Sequence, residues 1–303
     1  LSAYTAGDFS RAERLFRELL EARPGNPVFI KSLALLLNEA GKFEENIALL
    51  TSWPDLPGLH RLRGEAHLQI GQAEQAYQEF LQAIPEDPQN TQLLMNMGIA
   101  CSKLNRQGEA LTCLRYAMQI APASASLLMN FGCVLQSLNR IDEASAAFRN
   151  ALSLEPHYST AAWNLAQILL LQGKFEEGFA LFETRFSKRD PVSHLQVTAP
   201  LWQGEPLTNK TIIITTEQAF GDAIQFVRYL PLLAAQDVRV ILYNHLKPLQ
   251  RLFQSVPGIF SVIATPAEAP VADYYLPMLS LPRLFGTNLT SIPNQTIPYL
   301  AAD

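Results

Sequence analysis

The chain has 303 residues, 48% of them hydrophobic and 17% charged, the composition of an ordinary folded protein rather than a disordered one, and long enough for two domains. A formal net charge of −5 and a pI near 5.6 supply no general basic field, so nucleic acid is not an expected partner. The most apolar runs, Ala166 to Leu171 and Leu230 to Ala235, are far too short to span a bilayer, and no signal peptide opens the chain, so a cytoplasmic location is expected.

From the first residues the chain repeats itself. Gly7, Ala12, Phe16 and Pro24 read as the end of a repeat whose first helix is largely missing, so the chain is expected to begin inside a repeat, with a segment removed upstream. An imperfect unit from Pro27 to about Pro57 follows, with Asn46 where alanine belongs and "TSWPDLPG" breaking its second helix. From there a step of 34 residues relates Gly64, Gly98, Gly132 and Ala166, then Ala76, Ala110, Ala144 and Gly178, then Ala83, Ala117 and Ala151, and then Pro88, Pro122 and Pro156. Small residues at a fixed step are needed where paired helices approach closely, and proline closes the second helix of each unit. The last unit ends near Phe186, with Phe175 and Phe182 at its aromatic positions, which makes about five and a half repeats. That number is enough for a self-supporting solenoid.

The units "LLMNMGIACSKLNRQGEALTCLRYAMQIAP" and "LLMNFGCVLQSLNRIDEASAAFRNALSLEP" carry the pattern best. They resemble the tetratricopeptide repeat, which implies a superhelix whose first helices line a concave groove for a protein or peptide. Asn96, Asn130 and Asn164 occupy one equivalent first-helix position, 34 residues apart. A side-chain amide can both donate to and accept from one peptide unit, so such a ladder can grip extended backbone, and the array is similar to the O-GlcNAc transferase superhelix, in which asparagines act in this way. The plainer reading is that these amides cap or bridge neighbouring helices. Met95, Met129 and Trp163 flank them, either as an adaptable apolar floor or as core. Asn105 and Asn139 replace the glycine between paired helices, where φ above zero is expected.

Cys101, Cys113 and Cys133 all fall in these helices, form no CxxC pair and are odd in number, which points to a reducing compartment and to buried apolar packing. Five scattered histidines form no ligand set, so no metal is expected.

Near Thr198 the 34-residue step stops and β-branched runs begin. The repeats are assigned to 1–190, a linker to 191–207, and an α/β region to 208–303. Strands are expected near 211–215, 238–243, 260–264 and 273–276, with helices near 222–235 and 246–255. This alternation predicts a parallel sheet, a Rossmann-like half-domain. The turn after its first strand, "TTEQAFGDAIQF", lacks both GxGxxG and GxxxxGK[ST], so tight phosphate binding is not expected there. It does place an acid, Asp222, at the start of a helix, where it is either an ionised base or a helix cap.

"PLWQGEPLTNKTIIITTEQAFGDAIQFVRYLPLLA" and "DYYLPMLSLPRLFGTNLTSIPNQTIPYL" look like bacterial proteins in which tetratricopeptide repeats are fused to a glycosyltransferase-like region similar to the ADP-heptose transferases. The specific parts are EQ-x-x-GD-x-x-QF-x-RY and SLPRLF. The resemblance implies the acceptor-side, N-terminal half of a two-domain GT-B fold, with Asp222 as general base and Gly221 letting the backbone turn. Glu217, Gln218, Gln225, Arg228 and Tyr229 match the motif without an assigned role, and Ala219 departs from an expected glycine. Within GT-B enzymes the donor sits mainly on the C-terminal domain, which is expected to begin about where this chain stops. No cofactor is therefore expected here, a nucleotide-sugar being expected only with that further domain, and the chain alone is expected to be an incompetent transferase. The expected function is therefore a protein-binding repeat scaffold joined to the acceptor-side half of a glycosyltransferase-like fold, the full-length protein transferring a sugar to a protein or glycan hydroxyl; the alternative is a non-catalytic interaction scaffold whose α/β half is a degenerate cap.

Overall fold

The computed structural model describes residues 9–54, 56–122, 124–187, 199–217, 219–293 and 299–300. The expected positions of Gly7, Gln218 and the first part of the linker, 191–198, lie outside them. Two compact units divide at Pro156/His157.

The first unit is helical. α1 (Phe9–Ala22) is followed by four pairs: α2 (Pro27–Glu39) with α3 (Phe43–Thr51), α4 (Leu59–Gln69) with α5 (Ala73–Ala83), α6 (Thr91–Lys103) with α7 (Gln107–Ile120), and α8 (Ala125–Ser137) with α9 (Ile141–Leu154). Each helix packs on the next, and the first helices of successive pairs also touch one another. Three of the four first helices start at side-chain caps: Asn26 accepts from the Val28 amide, Asn90 from Leu93 and Ser124 from Leu127, while α4 starts at Gly58 without one. Each such cap satisfies one of the free N–H groups of a first turn. Between partners the chain turns through positive φ, at 61° for Asn105 and 58° for Asn139, as the sequence predicts.

The period of small residues has a direct steric cause. A Cβ on Gly64 would lie 2.5 Å from Cε1 of Phe80, and one on Gly132 2.6 Å from Cε1 of Phe148. Both phenyl rings are fully buried, as are Ala76, Ala110 and Ala144. Asn46, which replaces this alanine, is also fully buried and donates from Nδ2 to Oδ1 of Asn38 at 2.6 Å. α3 ends at Thr51, where the "TSWPDLPG" stretch begins.

The second unit combines one more helix pair with a sheet. α10 (Ser159–Leu171) and α11 (Phe175–Phe182) run into a 3-10 turn, Glu183–Ser187. β1 (Thr211–Thr215), β2 (Arg239–Tyr243), β3 (Ile259–Ile263) and β4 (Tyr274–Pro277) form a sheet of order β3-β2-β1-β4. All its pairings are parallel. The expected strands are met within a residue or two. The long helices expected between them are instead short pieces, α12 (Phe220–Phe226), a 3-10 turn (Val227–Tyr229) and α13 (Leu230–Ala234) after β1, and a 3-10 turn (Lys247–Leu249) with α14 (Gln250–Gln254) after β2. Pro231 accounts for the first break, since proline supplies no helical N–H.

Val227, Leu230, Leu233 and Phe253 from these connections cover one face of the sheet, formed by Ile212, Ile214, Val240 and Leu242. Ala269 and Ala272, between β3 and β4, pack on the other face, formed by Ile213, Ile241, Tyr243 and Ile263. A connection that changes direction along the sheet changes face, because parallel crossovers keep one hand. Burial on both faces accounts for the unbroken Ile212-Ile213-Ile214 run, each side chain worth about 1.5–3 kcal/mol. Within 199–207, in the stretch read as linker, Trp202 and Leu207 are buried in this core, and the backbone N–H of Trp202 donates to Tyr275 O on β4.

Candidate functional site

In the first unit, α6 and α8 carry Met95, Asn96, Met129 and Asn130 at equivalent places, all half-buried. Asn96 accepts at Oδ1 from Gln92 Nε2 (3.0 Å) and donates to Glu65 Oε1 on α4 at 3.4 Å. Asn130 donates to Ser126 O within its own helix at 2.9 Å. Glu65 also accepts from Arg61 at Nη1, one turn earlier on the same helix. Burial pushes the Glu65 carboxyl above its ordinary value, against the pull of Arg61. The result is a polar strip of amides, one acid and one base, interleaved with thioethers. It can offer both donors and acceptors to a peptide backbone. In the second unit Trp163 stacks on Phe182, with ring centroids 4.7 Å apart, and Asn164 beside it is half-buried.

The motif around β1 is drawn together by a residue that sequence reasoning did not single out. Arg185, in the 3-10 turn after α11, has a side chain only 8% exposed, and that of Glu217 is 3% exposed. Nε of Arg185 donates to Glu217 Oε2 at 2.8 Å, and Nη2 to Glu217 Oε1 at 3.2 Å and to Ser280 Oγ at 2.7 Å. Nη1 donates to Glu183 Oε1 at 2.6 Å. The Leu279 amide completes the shell of Glu217 at 2.8 Å. Ser280 Oγ donates to Glu183, and Arg283 Nε lies 3.5 Å from Glu183 Oε2. The guanidinium also lies over the rings of Phe182 and Phe186, at 5.0 and 4.1 Å. Thus EQ-x-x-GD contributes Glu217, SLPRLF contributes Ser280 and Arg283, and both converge on the turn that closes the last helix pair.

A signal for Arg185 did exist. Ala83, Ala117 and Ala151 mark one repeat position, and the residue 34 further on is Arg185. A small residue giving way to a guanidinium marks the place where a repeat ends and something else must pack.

The other motif residues divide between core and rim. The helix after β1 begins at Phe220 with Ala219 as its N-cap residue, so Asp222 is the third helical residue rather than the cap. It is half-buried, and Gly221 beside it is exposed with open space around its Cα. Tyr229 is buried, its hydroxyl 2.9 Å from Thr287 Oγ1, and burial pushes its phenol above the ordinary value. Arg228 donates to Gln225 O and to the hydroxyl of Tyr299, whose ring lies 4.5 Å from the guanidinium carbon. Gln225, Arg228 and Tyr229, with Phe175, Phe179 and Phe226, line a cavity of about 240 Å³ in this unit. Among the described residues no cluster of His, Cys, Asp or Glu could hold a metal ion, and no helix is long and apolar enough to cross a membrane.

The tetratricopeptide repeat family model matches residues 1–58 and 129–191. A tetratricopeptide-repeat protein from Parabacteroides merdae is similar in structure over 63% of this chain and 77% of its own, with a TM-score of 0.53 at 18% identity. The Cut9–Hcn1 hetero-tetramer of the APC/C is similar over 61% of this chain, with a TM-score of 0.56 at 16% identity. This chain spans only 38% of that structure's chain. No curated protein matches. Identities this low carry the fold alone: the helical part is a tetratricopeptide-repeat solenoid, and the residues matched by the family model end before β1.

Proposed function

We propose that this chain is a protein-binding scaffold that holds an extended peptide along the first helices of its repeats, with the sheet as a structural cap. The observation that carries the proposal is the recurrence of a half-buried Met-Asn pair on successive first helices, Met95-Asn96 and Met129-Asn130. Those helices touch one another from pair to pair, as the inner rank of a curved stack does. Amides that change partner without being stripped of all hydrogen bonds suit a backbone ligand, and methionine adapts to varied side chains. The cap reading is supported by the use of Glu217, Ser280 and Tyr229 for internal contacts.

The test is peptide selection against the wild-type chain, followed by binding to the Asn96→Ala/Asn130→Ala/Asn164→Ala variant. Selected peptides should bind the variant at least tenfold more weakly while far-UV circular dichroism stays the same. Equal binding by both proteins removes the ladder from the account, and a loss of helicity means the amides hold the solenoid together.

A second reading is favoured by the β3-β2-β1-β4 order and by the half-exposed Asp222 beyond the end of β1. Open α/β sheets bind ligands outside the carboxyl ends of their strands, where the order reverses, as it does here between β1 and β4. In this reading the sheet is the acceptor-side half of a GT-B glycosyltransferase, and Asp222 deprotonates a protein or glycan hydroxyl. The nucleotide-sugar then requires a C-terminal domain. Asp222→Asn in a protein carrying that domain should abolish sugar transfer with folding intact, and unchanged transfer would sink this reading.

A further inference from the structure

The cavity of about 240 Å³ in the second unit is used by neither reading above, and Asp222 is not among the residues that line it. Phe175 and Phe179, one turn apart on α11, contribute tilted rings whose centroids are 5.7 Å apart. Phe226 on α12, Leu170 on α10 and Ile292 extend the apolar lining. The three phenyl rings are half-buried, so each keeps apolar surface that the described residues leave open to water.

Among the described residues, the cation in this lining is Arg228, and its contacts are all neutral. Its Nε donates to Gln225 O at 2.8 Å, its Nη2 donates to the Tyr299 hydroxyl at 3.0 Å, and the Tyr299 ring lies 4.5 Å from the guanidinium carbon. The Tyr299 hydroxyl in turn donates to Ile224 O at 3.1 Å. These contacts hold the half-buried guanidinium in place without neutralising it, and its Nη1 has no partner among the described residues. No acidic side chain lines the cavity among those residues. The same unit treats its other half-buried guanidiniums differently: Arg185 meets Glu183 and Glu217, and Arg283 meets Glu183. A charge withdrawn from water without a counter-charge is costly, and an incoming anion would remove that cost. Tyr229 and Thr287, both buried, also line the cavity and share one hydrogen bond between their hydroxyls at 2.9 Å, so one of the two still has a hydrogen to donate.

We propose that this cavity binds a small apolar carboxylate, a single ring or short alkyl chain ending in one acid group. The apolar body covers the exposed parts of Phe175, Phe179 and Phe226, and the carboxylate accepts from the N–H groups that Arg228 has left, a charge-assisted bond that a neutral analogue cannot match. The volume sets the size of the ligand. A cavity of roughly 150 Å³ takes benzene, so 240 Å³ leaves room for a ring, a short linker and the acid group.

The test uses the full chain and three probes: 3-phenylpropionate, its neutral amide 3-phenylpropanamide, and propionate. Each is titrated near neutral pH and followed by NMR of the leucine and isoleucine methyl groups. 3-Phenylpropionate should saturate one site with a Kd of about 1 mM or tighter, which small ligands of about ten non-hydrogen atoms can reach. Its ring protons should show intermolecular contacts to the methyl groups of Leu170 and Ile292. The amide should bind at least tenfold more weakly, and propionate, which lacks the ring, should not saturate. Arg228→Met should bring the acid down to the level of the amide, and Ile292→Trp, which fills the cavity from an exposed position, should abolish binding of both. The wild-type comparison of acid with amide decides the matter if a variant fails to fold. Equal affinity for acid and amide, ring contacts only to methyl groups outside the cavity, no saturation by the acid up to about 10 mM, or a folded Arg228→Met chain that binds the acid as wild type does would each overturn the proposal.

Discussion

Replacing Arg185 by alanine should destabilise the second unit far more than an average surface change. The substitution leaves Glu217, whose side chain is 3% exposed, with one remaining donor, the Leu279 amide at 2.8 Å. It also removes the Nη2 donor to Ser280 and the Nη1 donor to Glu183. Removing one partner of a buried ion pair costs about 3–5 kcal/mol, because the other charge stays buried without compensation. At roughly 2–4 °C per kcal/mol for a domain of this size, the thermal midpoint should fall by about 6–20 °C. Arg185→Lys should recover only part, since an ammonium cannot meet both Glu217 oxygens and Ser280 with one planar fork. Arg185→Met/Glu217→Leu, which removes both charges, should cost less than Arg185→Ala alone. Tryptophan fluorescence in a Trp53→Phe background follows this unit, because Trp202 is buried in its core and Trp163 stacks on Phe182. An Arg185→Ala midpoint within about 0.5 kcal/mol of wild type would refute the reasoning, since that is the range of changes away from buried features.

Gly132→Ala forces a Cβ to within 2.6 Å of the buried Phe148 ring and should cost about 1–3 kcal/mol by circular dichroism melting. Adding Phe148→Leu should return part of that loss; a further drop equal to Phe148→Leu alone would show that the two do not clash. Asn139 sits at φ 58°, so Asn139→Ala should cost about 1–2 kcal/mol and Asn139→Gly much less, and equal effects of the two would reject a backbone cause. Asp273 accepts from the Thr211 amide at 2.8 Å and from Lys210 at 3.1 Å, and these hold its carboxyl below the ordinary value. A depressed folded value means that its stabilisation is complete above the ordinary carboxylate range and is lost as pH falls through the folded value. The wild-type advantage over Asp273→Asn in thermal midpoint should therefore stay level from about pH 7 to pH 5 and collapse below about pH 4. An advantage that grows on acidification contradicts this assignment.

The repeat array was legible because its cause is local and recurrent. Gly64, Gly98 and Gly132 stand where a second helix leaves no room for Cβ, and the same collision returns every 34 residues. The strands were legible for a similar reason, since a sheet buried on both faces demands runs such as Ile212 to Ile214. The helices between strands were less so. A continuous apolar pattern over 222–235 does not reveal that Pro231 and the 3-10 turn at Val227–Tyr229 divide it.

Three features were settled by the chain alone: the periodic helix pairs, the switch to parallel strands near residue 211, and the positive-φ turns at Asn105 and Asn139. Each follows from residues close in sequence, or from a pattern that repeats. Tertiary structure decided what Arg185 and Glu217 do, 32 residues apart, and brought Ser280 to them from 95 residues beyond Arg185. These contacts occur once, between segments with no common period, and a charge is defined by the group it meets, which only the packing of distant segments supplies.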